Sequence, residues 1–488
     1  MRNLRSRLLR ILVAAPLVAG GAVAALVGLW IARENVKGEL SLWHRQAPRE
    51  EFRAGRATDL EGYLAIERRV DAELPAILPG GEEGDGADVV RWRQELARRA
   101  REHFGRDWRR TVRISPAGEP VGGALLLHGL SDSPYSLHAI AEALAADGWE
   151  VLVPRLPGHG TVPAALDRIE AEDLESAARL SLAALAQQLG PDRPLLVVGY
   201  STGAPLAVGL ALEHEESPTA RPRIDGIVLV SPALAVTPFA IAASAQQLLG
   251  RLPALEKVAW RSIQPEYDPF KYNSFPVGAG EVVRRLTRSV EDRVLALSRR
   301  SSGSFPPTLT FASAADSTVD VEGSVRSVLA RLPGDGHELV VFDVDRSLAI
   351  RPLLSPGAGR VTDRLRSPGA SRHSLTIVGN ESERSRRVVA RRAGDTKSTE
   401  PLGLDWPEGV FSLSHVALPF PPRDPIYGLD PAAGLASPHL GRLEARGEKD
   451  LLVVPAQQIL RLRSNPFFDW MMGKIERFAT ERRGSGRG

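Results

Sequence analysis

Leu195-Leu196-Val197-Val198-Gly199-Tyr200-Ser201-Thr202-Gly203-Ala204-Pro205-Leu206 is the most informative stretch of the chain. Its first four residues read as a buried strand, and the Ala- and Leu-rich run from Pro205 to Glu213 reads as a helix. Between them stands a G-x-S-x-G pattern, Gly199 to Gly203. The chain has 45 glycines among 488 residues, so the pattern alone is weak, with about 0.2–0.4 chance matches expected. Its position between strand and helix raises its value. Flanking glycines permit a tight turn that forces the serine into strained backbone and exposes its hydroxyl at a helix amino terminus. Ser201 is therefore the candidate nucleophile.

Outward from this turn, short apolar runs bounded by Gly or Pro alternate with helical stretches, as parallel βαβ units require. The spacing predicts strands over Gly123–Leu127, Glu150–Val153, Leu195–Val198, Ile227–Val230, Leu309–Ala312 and Leu339–Phe342. It predicts helices over Ser136–Ala146, Ala171–Leu189, Pro205–Glu213 and Val321–Ala330. The fold class is α/β, with a mostly parallel central sheet flanked by helices. Leu125-Leu126-Leu127-His128-Gly129-Leu130-Ser131 closes the first of these strands and opens a loop. Acyl transfer needs two backbone N–H donors aimed at the developing oxyanion, and such a loop supplies one of them. The expected donors are Leu130 and Thr202. His128 is expected to shape the loop without titrating in catalysis, with Gly129 beside it.

With Pro154-Arg155-Leu156-Pro157-Gly158-His159-Gly160-Thr161, these motifs resemble the α/β-hydrolase superfamily, and within it bacterial carboxylesterases and monoacylglycerol lipases of the serine aminopeptidase-like group. The similarity covers residues 122–232 well and 308–331 more loosely. It implies a serine nucleophile followed in the chain by an acid and then a histidine. The acid is expected at Asp316, in Ala315-Asp316-Ser317-Thr318-Val319, with Asp320 and Asp343 as competitors. Four histidines follow it. His337 precedes its strand, at the pole away from Ser201; His373 reads as a surface residue; His439 lacks framing. His415, in Leu413-Ser414-His415-Val416-Ala417-Leu418-Pro419, resembles the family's element before the terminal helix. Its separation of roughly 70 residues from the preceding strand is long for a connection.

Charge is distributed unevenly. The net charge is +3, yet Arg2, Arg5, Arg7 and Arg10 open the chain, and residues 346–399 hold 12 Lys and Arg against 4 Asp and Glu. Four positive charges in one segment and eight in the other leave −9 on everything else, so the expected catalytic body is acidic. After the arginines, Ile11 to Ala32 carries no charged side chain. At about 1.5 Å per residue these 22 residues match a bilayer core of about 30 Å. A signal anchor with a cytoplasmic amino terminus and a periplasmic or extracellular body is expected; a cleaved signal peptide, ending near Ala22-Val23-Ala24, is the rival.

The expected organisation is a membrane anchor (1–35), a helical extension (36–108), a hydrolase core (109–231 and 304–345), a helical cap (232–303), a basic insertion (346–400), and the histidine loop with a terminal helix (401–488). In the extension, helices are expected over Leu60–Leu78 and Val89–Phe104; in the cap, over Ala240–Leu249 and Val282–Ser298. Within the insertion, Ser374–Val378 and Arg387–Ala390 are expected to pair as a ribbon. Its Arg384, Arg386, Arg387, Arg391 and Arg392 read either as contacts to anionic lipid or as a solvated hairpin. There is no cysteine, which excludes disulfides and thiol chemistry. No metal spacing, phosphate-cradling loop or cofactor signature occurs, and no nucleic-acid motif accompanies the positive charge. The expected substrate is a small hydrophobic acyl ester. A peptidase or acyltransferase on the same motifs, and a non-catalytic membrane-tethered binding protein, are the alternatives. The sequence leaves the oligomeric state open.

Overall fold

The computed structural model describes residues 38–78, 87–219, 221–235, 256–300, 304–355, 357–367, 373–394, 399–430, 434–435, 440–442 and 461–484. In chain order its strands are β1 (Val112–Ile114), β2 (Gly122–Leu127), β3 (Trp149–Val153), β4 (Leu195–Tyr200), β5 (Gly226–Val230), β6 (Trp260–Ser262), β7 (Phe275–Pro276), β8 (Thr308–Ser313), β9 (Glu338–Phe342), β10 (Ser374–Asn380), β11 (Arg387–Arg392) and β12 (Thr399–Asp405). Ten of them form one sheet in the order β1-β3-β2-β4-β5-β8-β9-β10-β11-β12. The run from β3 to β10 is parallel throughout. The edge pairs β1/β3, β10/β11 and β11/β12 are antiparallel. Strands β2 to β5 and β8 are buried along their whole length, the signature of a sheet covered on both faces.

The larger helices are α1 (Leu60–Ile77), α2 (Ala87–Phe104), α3 (His138–Ala146), α4 (Ala171–Leu189), α5 (Gly203–Glu216), α6 (Val277–Ser298) and α7 (Phe468–Gly484). One face of the sheet packs on α4, α5 and α6. The other packs on α2, α3 and α7, with Trp108, Trp149, Phe342 and Phe467 fully buried between the layers. The extension is sewn to this core by charge. Arg155 is buried against Asp71 at 2.6 Å and lies 3.9 Å from Glu67, both on α1, while Tyr63 donates to the Arg155 carbonyl.

Two expectations are corrected. Helix α6 is not a cap: Val283, Leu286, Val290, Val294 and Leu297 are buried in the core cluster shared with α4 and α5. It is a crossover helix between β5 and β8, because an apolar stripe of this spacing serves any surface it meets. The segment 346–400 is not an insertion outside the sheet. Its β10 lies parallel to β9 and antiparallel to β11, so the expected ribbon exists as the continuation of the main sheet. Local charge obscured this, since Val388, Val389 and Ala390 are buried while Arg387 and Arg392 face solvent. Arg386 and Arg391 donate to the carbonyls of Trp406 and Asn380, at 2.7 and 2.8 Å. His373 is half-buried and its ring lies 4.8 Å from that of His337. Strand β1, three residues long, was too short for periodicity to reveal.

The proposed anchor and the expected helix over Ala240–Leu249 lie outside the described residues, as does His439. Among the described residues no helix is long and apolar enough to cross a membrane.

Candidate active site

Tyr200 ends β4, and Ser201 follows with φ +53°, a left-handed conformation that a non-glycine residue adopts only under constraint. The constraint is visible. The Ser201 N–H donates to the Val230 carbonyl at 3.0 Å, and its own carbonyl accepts from Ala204 and Ala233 at 3.0 and 3.1 Å. Both glycines of the motif are required by close approach. A Cβ at Gly199 would lie 2.5 Å from the Gly203 carbonyl oxygen, and one at Gly203 would fall on the Leu127 carbonyl. The turn thus packs the start of α5 against the end of β2, leaving Ser201 at the carboxyl edge of the sheet where open α/β sheets place their sites.

His415 and Asp316 meet Ser201 there. His415 Nε2 lies 2.9 Å from Ser201 Oγ, and His415 Nδ1 lies 2.7 Å from Asp316 Oδ2. Asp316 Oδ1 accepts from the Thr318 and Val319 N–H groups at 2.7 and 3.0 Å. Burial opposes the Asp316 charge, but the His415 ring and these hydrogen bonds outweigh it and hold the carboxyl below its usual range. The competing acids are engaged elsewhere: Asp320 caps a short helix through Gly323 N–H at 2.8 Å, and Asp343 pairs with Arg346 at 2.7 Å. The long excursion between β9 and His415 closes on hydroxyls at the strand ends. Ser313 Oγ donates to the Leu413 carbonyl at 2.8 Å, and Ser231 Oγ to the His415 carbonyl at 3.3 Å.

The loop after β2 crosses beside this line. A Cβ at Gly129 would stand 3.1 Å from Ser201 Cβ and 2.5 Å from Asp132 Oδ2, so a side chain there would force Asp132 to shift. His128 is fully buried; its Nδ1 donates to the Gly129 carbonyl at 2.9 Å and its Nε2 accepts from Leu156 N–H at 3.1 Å. Burial lowers its pKa, and the neighbouring His159 ring, at 5.0 Å, lowers it further. It is a neutral structural ring. Thr202 stands at the amino end of α5. Among the described residues, the Leu130 and Thr202 N–H groups make no backbone hydrogen bond.

A cavity of about 190 Å³ opens between this loop, the 262–275 strap and the segments after His415 and before α7. Ser131, Asp132 and Val416, neighbours of the predicted site residues, line it together with Tyr267, Tyr272 and Phe420. So do Asp268, Lys271, Arg461 and Arg463, charged residues that sequence reasoning missed. Only proximity in the fold gathers them, although Lys271 sits among Tyr267, Phe270 and Tyr272 in the chain. Among the described residues, no group of three or more acidic or histidine side chains is placed to hold a metal.

A hydroxyl beside an imidazole that a carboxylate orients is a set suited to acyl transfer. The chain is similar in part to known proteins. Residues 118–344 match the family described as serine aminopeptidase, S33. A thermostable monoacylglycerol lipase of Bacillus sp. (strain H-257) is 29% identical over 180 residues, 36% of this chain and 66% of that lipase; the match thus spans just under two thirds of the relative. Among solved structures, a metagenome-derived lipolytic enzyme aligns at 22% identity over 49% of this chain and 88% of its own, with a TM-score of 0.39. The monoacylglycerol lipase of Paleococcus ferrophilus aligns at 21% identity over 48% and 87%, with a TM-score of 0.35. With its mostly parallel sheet and strained serine turn the chain has an α/β-hydrolase fold, and over residues 118–344 it resembles the serine aminopeptidase family and a monoacylglycerol lipase.

Proposed function

We propose that the protein is a serine carboxylester hydrolase acting through an acyl-enzyme. The observation that carries this reading is the hydrogen-bonded line Ser201–His415–Asp316. Ser201 Oγ attacks the ester carbonyl carbon while its proton passes to His415 Nε2. Asp316 holds Nδ1–H and stabilises the imidazolium without taking the proton. The Leu130 and Thr202 N–H groups hold the tetrahedral oxyanion. Collapse breaks the bond to the alcohol, which leaves with the proton from His415. Water, deprotonated by His415, then releases the acid and restores Ser201.

Likeness to a monoacylglycerol lipase supports an ester over an amide. The cavity, about 190 Å³, is below the roughly 300–1,000 Å³ of drug-sized ligand sites and suits a short acyl chain. Ile11 to Ala32 would tether the body to a membrane, with the body on the far side from the arginines. Hydrolysis of p-nitrophenyl butyrate and labelling by a fluorophosphonate should both vanish in Ser201→Ala; turnover that survives it would remove the proposal. Fractionation of the full chain against one lacking residues 1–35 tests the tether, which predicts membrane association of the first alone.

A further inference from the structure

Among the described residues, the charges that line the cavity do not cancel. Asp132 pairs with Lys271 at 2.7 Å. Asp268 lies 3.5 Å from Arg463 and also accepts from Tyr427 Oη at 2.6 Å. Arg461 is left over. Its Nη2 donates to Thr318 Oγ1, a neutral oxygen, at 2.8 Å, and among the described residues it has no carboxylate within ion-pair distance. A guanidinium offers five N–H donors in a planar fork, so most of this one's capacity remains open at a partly shielded site.

Its position ties it to the reacting centre. Thr318, its hydroxyl partner, also gives its N–H to Asp316, and Arg461 lines the same cavity as Ser131 and Val416, which neighbour Leu130 and His415. A ligand filling the cavity therefore touches the residues that adjoin Leu130 and His415, and beside them a guanidinium with no carboxylate partner among the described residues. A purely hydrophobic ester would leave that guanidinium partly desolvated with nothing to pair with, which is costly.

We infer that the ester cleaved here carries an anionic group, a carboxylate or a phosphate, that seats against Arg461 while its carbonyl lies at Ser201. The inference rests on the esterase reading above and sharpens its substrate class. Planar, bidentate recognition of such oxyanions is the chemistry for which arginine is best suited.

The test compares matched esters with the full-length protein. One pair is p-nitrophenyl valerate and mono-p-nitrophenyl glutarate, equal in chain length and differing by a terminal carboxylate. The other is monobutyrin and the butyryl ester of glycerol phosphate, which separates a phosphate from a carboxylate source. The wild type should favour at least one anionic ester, and Arg461→Ala should raise KM for that ester about 10- to 100-fold with little change on its neutral partner. Arg461→Lys, which keeps the charge but not the fork, should recover part of the preference and guards against a folding defect in the alanine variant. Equal losses on both members of a pair would assign Arg461 to supporting the Asp316 loop and overturn the inference. Ser201-dependent hydrolysis with no anion preference would overturn it and leave the esterase reading intact; no Ser201-dependent hydrolysis of any ester would remove both.

Discussion

Asp316→Asn tests the site most sharply, because the backbone dictates how the new amide must sit. Asp316 Oδ1 accepts from two N–H groups, Thr318 at 2.7 Å and Val319 at 3.0 Å. An asparagine must place its carbonyl oxygen there, since turning its NH₂ toward them would set donors against donors. The NH₂ then occupies the Oδ2 position, 2.7 Å from His415 Nδ1. The imidazole must offer a lone pair at Nδ1 and carry its proton on Nε2, 2.9 Å from Ser201 Oγ. In that tautomer it cannot receive the serine proton. The expected loss is about 10³- to 10⁴-fold in kcat, or roughly 4–5.5 kcal/mol of transition-state stabilisation, with KM within about twofold. Steady-state hydrolysis of p-nitrophenyl butyrate reads the loss, and fluorophosphonate labelling should slow in parallel. Far-UV circular dichroism and the thermal midpoint should stay near wild type, because the substitution is isosteric. Asp320→Asn and Asp343→Asn, whose carboxylates are engaged elsewhere, should leave kcat within about threefold. A loss under tenfold for Asp316→Asn in a folded protein would refute the assignment of the acid.

Two other predictions follow from the same geometry. Gly129→Ala should abolish most activity while the protein still folds, since the added methyl meets Asp132 Oδ2 at 2.5 Å and Ser201 Cβ at 3.1 Å; near-normal kcat would show that the loop can yield. His159 is buried, and desolvation lowers its pKa to about 4. The unfolded state therefore binds the proton first as pH falls below about 6.5, and stability present at neutral pH is lost on the way to 4. Between pH 7 and 4.5 this amounts to about 2.5 kcal/mol. Urea midpoints should show the wild type losing that much more than His159→Gln over this interval, and equal losses in the two proteins would count against a neutral buried ring.

What was legible in the sequence had local physical causes. The nucleophile turn is written in consecutive residues because its two glycines answer to contacts made by the turn itself and the adjoining strand. Strands β2, β4, β5, β8 and β9 were read to within about two residues, as continuous apolar runs buried on both faces must be. Helix α4 was read at its full length, Ala171–Leu189. The histidine was harder. His415 emerged from its framing, while the connection that separates it from β9 was misread as an insertion because arginines on the exposed positions of β11 dominated its composition. The role of α6 was misread for a related reason, since an amphipathic stripe does not name its partner.

Sequence therefore supplied the candidates, Ser201 from its own turn and, through the resemblance, Asp316 and then His415, together with the alternation of strand and helix that carries them. Tertiary structure alone decided that these three lie on one line, that Gly129 packs closely against Ser201 and Asp132, and that Asp132, Asp268, Lys271, Arg461 and Arg463 share one cavity. The reason is range. Turn geometry and strand burial depend on neighbours along the chain, whereas charge compensation depends on which distant segments the sheet brings to a common edge, and Arg461 lies 260 positions beyond Ser201.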